Sequence, residues 1–207
     1  SELIHGPTII APVYYTCPSA CNLLQSALAN VLPDVGLDPG EEYQVLSVSF
    51  DPADTPEIAR RKKGDYLTAM QGRTDKPFPE DGWLFLTAQD GQEAILMDAV
   101  GYRYQQEGNA FLHPVVIVAV APDGKIVRYL YGQGFLPFDI AMAATEAAEG
   151  HVGLSVKRVL AYCFTYDPEG KKYAFNFIRV SGAAVLIGIC IFFMALVLSG
   201  RKKKKKA

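Results

Sequence analysis

Residues Tyr14–Leu24 read YYTCPSACNLL. Cys17 and Cys21 stand four apart, after an apolar run rich in β-branched residues (Pro7–Thr16, PTIIAPVYYT) and before a run with apolar residues at helical spacing. The first run reads as a buried strand. The second, Ser19–Leu32, reads as a helix with Leu24, Ala27, Leu28 and Val31 on one face, stopped by Pro33. Two of the chain's four cysteines therefore fall at a strand-to-helix turn. If the helix begins near Cys17, both sulfurs leave one face of its first turn. The positive end of the helix then favours thiolate over thiol. A permanent disulfide, a redox couple and a soft-metal site all suit such a pair. Thioredoxin-type redox pairs are separated by two residues. Here three intervene, which still permits a disulfide and leaves room for a metal if a third ligand arrives from elsewhere.

Outward from this turn, strand and helix patterns alternate. Tyr43–Phe50 (YQVLSVSF) and Trp83–Ala88 (WLFLTA) read as strands. Between them, DPADTPEIARRKKGDYLTAM opens a helix with Asp54 or Thr55 as N-cap and Pro56 at the first helical position. DGQEAILMDAVG is a short helix closed by Gly101. Pro114–Val120, the turn APDG and KIVRYLYG form a hairpin, and Pro137–Gly150 is a last helix. The order implies an α/β domain over residues 1–150, a mixed sheet with helices on both faces. Asp51 and Asp54 read as capping residues ahead of Thr55-Pro56-Glu57, and Gly132 and Gly134 as turn glycines outside any phosphate-loop pattern.

The formal net charge of −2 hides an asymmetry. Six of the 20 basic residues are Arg201 and Lys202–Lys206, so 14 stand against all 22 acidic residues ahead of them. A body this acidic excludes a nucleic-acid partner. Residues 180–200 (VSGAAVLIGICIFFMALVLSG) are 21 residues without a charge. About 20 apolar residues span a bilayer as a helix. Flanking cations stay on the cytoplasmic side, so a single-pass transmembrane helix is expected at 180–200. The basic tail, 201–207, is then cytoplasmic and contacts anionic lipid. Residues 151–179 read as an irregular connector with a turn at YDPEGKKY. The domain is expected on the periplasmic or other extracytoplasmic side. That orientation needs an export leader, removed or lying upstream of Ser1.

A third ligand for the cysteines is His113, in NAFLHPVVIVAV. The residue before a proline is biased to extended geometry, so His113 sits at the entrance of the hairpin strand. If that strand lies beside the first, His113 reaches the Cys17 turn. His5, near the start, and His151, in the connector, are poorer candidates. Cys163 would join only if the connector folded back, and Cys190 lies within the apolar span. Two thiolates and one imidazole suit Cu(I), or Cu(II) with a further ligand. Zinc accepts the same donors but wants a fourth in a closed site.

YYTCPSAC, VSFDPADTPEIA, GWLFLTA and LHPVVIVAVAPDGKIVRYLYGQ occur in this order between Pro7 and about Gly150. On these motifs the chain resembles the Sco/SenC family of copper-binding thioredoxin-fold proteins. The resemblance implies a thioredoxin-like fold and one copper ion, Cu(I) or Cu(II), held by Cys17, Cys21 and His113. It also implies a role in assembling the copper A centre of cytochrome c oxidase. The partners it implies are the oxidase subunit carrying that centre, other copper chaperones and thiol reductants. On this reading the protein delivers metal rather than turning over substrate. The alternative is a membrane-anchored thiol–disulfide reductase that uses Cys17 and Cys21 as its redox pair and has no need of His113. A peroxidase-like enzyme would need an Arg beside Thr16 and Cys17, and none can be placed. The chain departs from the family pattern in three ways. Its anchor follows the domain, as in a bacterial subgroup with a connector like YCFTYDP and a site in the inner membrane. Leu112 stands where many members have an acid. Strands that precede the first cysteine strand in the family are not in the sequence, so an N-terminal part of the domain is expected to be missing.

Overall fold

The computed structural model describes residues 3–17, 20–73, 77–88, 91–108, 110–151, 164–167 and 172–175. The chain divides into two compact units, Ser1–Gly153 and Leu154–Ala207.

The first unit is built on a five-stranded sheet. Its strands are β1 (Thr8–Val13), β2 (Gln44–Ser49), β3 (Trp83–Leu86), β6 (Val116–Val120) and β7 (Ile126–Tyr131), in the order β3-β2-β1-β6-β7. β1 is buried along its whole length. A strand covered on both faces shows a continuous apolar run instead of alternation, and TIIAPV is such a run. β2 pairs parallel with β1 and β3, whereas β6 runs antiparallel to both β1 and β7. Pro12 is tolerated in this central strand because the β1–β6 ladder covers only Thr8, Ile9 and Ile10. The N–H that proline lacks falls beyond its end.

Among the described residues four α-helices connect and cover the strands: α1 (Ala20–Val31), α2 (Pro56–Met70), α3 (Gln92–Ala99) and α4 (Pro137–Glu149). α1 buries Leu24 and Leu28 against the sheet, each stabilising by roughly 2 kcal/mol. α2 starts where Thr55 accepts the Ile58 N–H at 3.4 Å, with Pro56 in the first turn. Of the two capping residues the sequence allowed there, Thr55 is the one used. α4 begins at Pro137, where the Asp139 carboxylate accepts the Leu136 N–H at 3.0 Å. The mixed α/β sheet is thus as the sequence implied.

Two hairpins were not anticipated. β4 (Gln105–Glu107) pairs with β5 (Ala110–Leu112) directly ahead of His113. In the second unit, β8 (Phe164–Asp167) pairs antiparallel with β9 (Lys172–Phe175), within the stretch that the sequence read as an irregular connector. Among the described residues no helix is long and apolar enough to cross a membrane. The expected span at 180–200, the basic tail, Cys163 and Cys190 lie outside the described residues.

Candidate metal centre

β1 ends at Val13, and the chain turns so that the Cys17 N–H bonds to Tyr14 O at 3.2 Å. α1 then runs from Ala20, next to the Ser19 at which the sequence placed its start. Cys17 therefore sits in the turn, and only Cys21 lies on the first helical turn. The helix end still reaches Cys17, because the Cys21 N–H points at the Cys17 sulfur at 3.4 Å. The Tyr14 N–H points at the Cys21 sulfur at 3.4 Å. Each sulfur thus accepts one backbone N–H, and both residues are buried.

The third donor arrives through the sheet. Antiparallel pairing of β6 with β1 brings the start of β6 to the end of the sheet where β1 delivers the cysteines. His113, just ahead of β6, places Nε2 3.6 Å from the Cys21 sulfur. The two sulfurs and a ring nitrogen of His113 all lie within 4.8 Å of one another. Among the described residues this is the one group of histidines, cysteines and acids so arranged. His151 instead sits near Glu149 at 3.2 Å, exposed and outside the cluster.

The surroundings are aromatic. Tyr14 and Phe50 meet the His113 ring edge-on, with centroids at 5.7 and 5.4 Å. Phe111, from β5, packs against both Tyr14 and Phe50. This low-polarity wall changes the expected thiol chemistry. The sequence argued for a thiol acidified by the helix end, but burial pushes the Cys21 thiol well above its ordinary value. The Tyr14 N–H pulls the other way, and the Cys17 sulfur adds to the rise. Desolvation outweighs the Tyr14 N–H because Cys21 is buried in the core.

Three residues around the turn escaped the sequence reading as parts of the site. Asp54, read there as a cap, turns inward and is only 5% exposed. One of its oxygens accepts the Tyr15 N–H and the Ser49 hydroxyl, both at 2.6 Å. The other has no hydrogen-bond partner. Burial raises the carboxyl above its usual range, while the Ser49 and Tyr15 bonds oppose that rise. Asn22 donates to Cys17 O at 2.8 Å and accepts from Lys62 of α2 at 2.8 Å, tying the turn to a second helix. Tyr102, between α3 and β4, lies 2.9 Å from His113 Nδ1. A sequence cue existed for Tyr102, since an apolar residue directly after a helix-ending glycine often folds back onto the helix. For Asp54 no cue outweighed the capping pattern.

Two thiols and an imidazole converging on one point can hold a soft or borderline metal ion. Without the ion, the same dithiol can form a disulfide. The thioredoxin-like fold is one that this chain shares with solved proteins of the Sco/SenC type. A SCO1/SenC family lipoprotein from Bacillus anthracis has this fold at 17% identity, with a TM-score of 0.53, over 71% of this chain and 84% of its own. ScoI from Bradyrhizobium japonicum, solved with copper bound, matches at 21% identity and a TM-score of 0.52, over 72% of this chain and 87% of its own. A candidate electron transfer protein from Aquifex aeolicus VF5 shares 31% identity, with a TM-score of 0.61, over 72% of this chain and 82% of its own. The chain belongs to the same family as that Aquifex protein. No family model and no curated protein matches the sequence.

Proposed function

We propose that this protein binds one copper ion through Cys17, Cys21 and His113 and delivers it during assembly of the copper A centre of a cytochrome c oxidase. The observation that carries the reading is the approach of His113 Nε2 to 3.6 Å from the Cys21 sulfur, from 92 positions away in the chain. A dithiol that served only exchange would have no use for an imidazole there. The soft donor set fits copper, and the copper-bound ScoI of the same fold supports that choice. The oxidase client follows from the Sco/SenC resemblance of the sequence. Its partners would be the oxidase subunit that carries the copper A site, other copper chaperones, and reductants that keep the dithiol open.

In this role Cys17 and Cys21 supply the sulfurs and give up their protons on binding, and His113 supplies one neutral nitrogen. The aromatic wall of Tyr14, Phe50 and Phe111 limits water around the donors. The apolar run at 180–200 supports a single-pass anchor in the cytoplasmic membrane of a bacterium, with the copper domain outside and the basic tail in the cytoplasm.

Copper titration of the reduced protein tests the ligand set. Cu(II) bound by these sulfurs should give a sulfur-to-copper charge-transfer band. His113→Ala should weaken binding by at least tenfold while the dithiol still oxidises. Cells at limiting copper that carry His113→Ala should lose oxidase activity. Full oxidase activity in that variant, with Cys17→Ser inactive, would favour the thiol reductase instead.

A further inference from the structure

We infer that Tyr102 is a positioning residue that, together with the Pro114 carbonyl, holds His113 as the Nδ1–H tautomer, leaving Nε2 bare toward the two cysteine sulfurs. The inference deepens the copper reading and rests on His113 being a ligand. Its first test does not use the metal.

The protons around His113 decide its tautomer. The Tyr102 hydroxyl lies 2.9 Å from His113 Nδ1 and 3.0 Å from Pro114 O. His113 Nδ1 is itself 3.0 Å from Pro114 O. A carbonyl oxygen only accepts, and a tyrosine hydroxyl has one proton to give. With the proton on Nδ1, every contact is satisfied. Tyr102 donates to Pro114 O, and Nδ1–H is shared between the hydroxyl oxygen and the same carbonyl. With the proton on Nε2, Tyr102 has to choose between Nδ1 and Pro114 O. The Nδ1 lone pair then faces a carbonyl at 3.0 Å with nothing between them. The first arrangement wins on hydrogen bonds alone. It also leaves an unprotonated nitrogen at the end of the ring that faces Cys21. A metal-bound histidine is commonly oriented by the partner of its other nitrogen, and Tyr102 with Pro114 O forms that partner here.

Tyr102 is itself well fixed. α3 ends where the Tyr102 N–H bonds to Met97 O at 2.7 Å, after Gly101 takes a φ of 66°. This is the helix stop in which the residue after the glycine folds back over the last turn. The Tyr102 side chain is 4% exposed and packs on Phe50, with centroids at 5.4 Å. Tyr129 closes the same turn by donating to Val100 O at 3.0 Å. A hydroxyl held at this depth is a fixed reference against which the imidazole sets its orientation.

The test uses the full chain in detergent, reduced and metal-free, labelled with 15N-histidine. The chain has three histidines, and His113 is the one whose signals vanish in His113→Ala. At about pH 8 an imidazole is neutral, and two-bond nitrogen–proton correlations distinguish the tautomers. The parent should show Nδ1 protonated. Tyr102→Phe keeps the ring packing and leaves the Pro114 carbonyl as the remaining acceptor, so Nδ1 should stay protonated while its nitrogen and proton resonances move away from the parent's. The same substitution should weaken copper binding about tenfold. In a His113→Ala background it should have no further effect, because Tyr102 acts only through His113. An Nε2–H parent would overturn the inference. So would a Tyr102→Phe spectrum and affinity equal to the parent's, or an equal loss of affinity in the His113→Ala background. If His113→Ala binds copper as tightly as the parent, the copper reading fails while the tautomer result stands.

Discussion

Replacing Asp54 by alanine removes the buried carboxylate that ties the cysteine turn to the start of α2. The Tyr15 N–H and the Ser49 hydroxyl each lose a 2.6 Å bond. Tyr15 is 1% exposed and Ser49 is 1% exposed, so water cannot replace the lost oxygen without disrupting the core. An orphaned buried donor costs about 1–3 kcal/mol. Ser49 keeps a weak alternative in Asp51 O at 3.5 Å, so its loss falls at the low end. One gain opposes these losses, since the carboxylate is itself buried with one oxygen unpartnered. The net expectation for Asp54→Ala is a loss of about 2 kcal/mol. For a domain of this size that lowers Tm by about 4–8 °C. Asp54→Asn separates hydrogen bonding from charge. Its amide oxygen can occupy the bonded position and accept both donors, while its NH2 falls where the carboxylate was unpartnered. It should stay within about 1 kcal/mol of the parent. Urea unfolding of the reduced protein gives both values, and hydrogen exchange at the Tyr15 amide should accelerate in Asp54→Ala but not in Asp54→Asn. If Asp54→Ala costs less than about 0.5 kcal/mol, or if the two variants behave alike, the clamp does not hold the turn.

Gly101→Ala should cost at least about 1 kcal/mol, because φ is 66° there and a Cβ would lie 3.2 Å from the Tyr129 hydroxyl. Thermal melts check the loss, and an unchanged Tm would refute the role of the glycine stop. The metal-free dithiol protein should lose stability in alkali. The folded-state value of the Cys21 thiol is raised above its ordinary 9.0, so its contribution is complete below that pH and falls as pH rises past it. The slope should approach about 1.4 kcal/mol per pH unit. Tyr15, Tyr43 and Tyr102 join only above their ordinary 10.0, so the slope that begins just above 9.0 should lessen in Cys21→Ala. Protease added to spheroplasts should digest the copper domain and spare a tag placed after Lys206; a protected domain would reverse the proposed orientation.

The sequence determined what depends on near neighbours. The apolar run of β1, the helical spacing of Leu24 and Leu28, the proline starts of α2 and α4 and the glycine stop of α3 are short-range signals, and the structure follows them closely. The cysteine pair and the histidine ahead of a proline were legible too, as residue types in suggestive places. The hairpin of β4 and β5 was not, even though Gly108-Asn109 is a turn signal, because strands of three residues carry too little pattern to read. What only the tertiary structure decided was which distant groups meet. The pairing of β6 with β1 brings His113 to Cys21 across 92 positions, and the return of the chain after β2 brings Asp54 to Tyr15 across 39. A carboxylate one residue ahead of an N-cap looks like a cap until its surroundings are known. A thiol near a helix end looks acidic until its burial is known. Desolvation and hydrogen-bond satisfaction depend on everything packed around a group, and that packing is set by strand register, which no short stretch of sequence encodes.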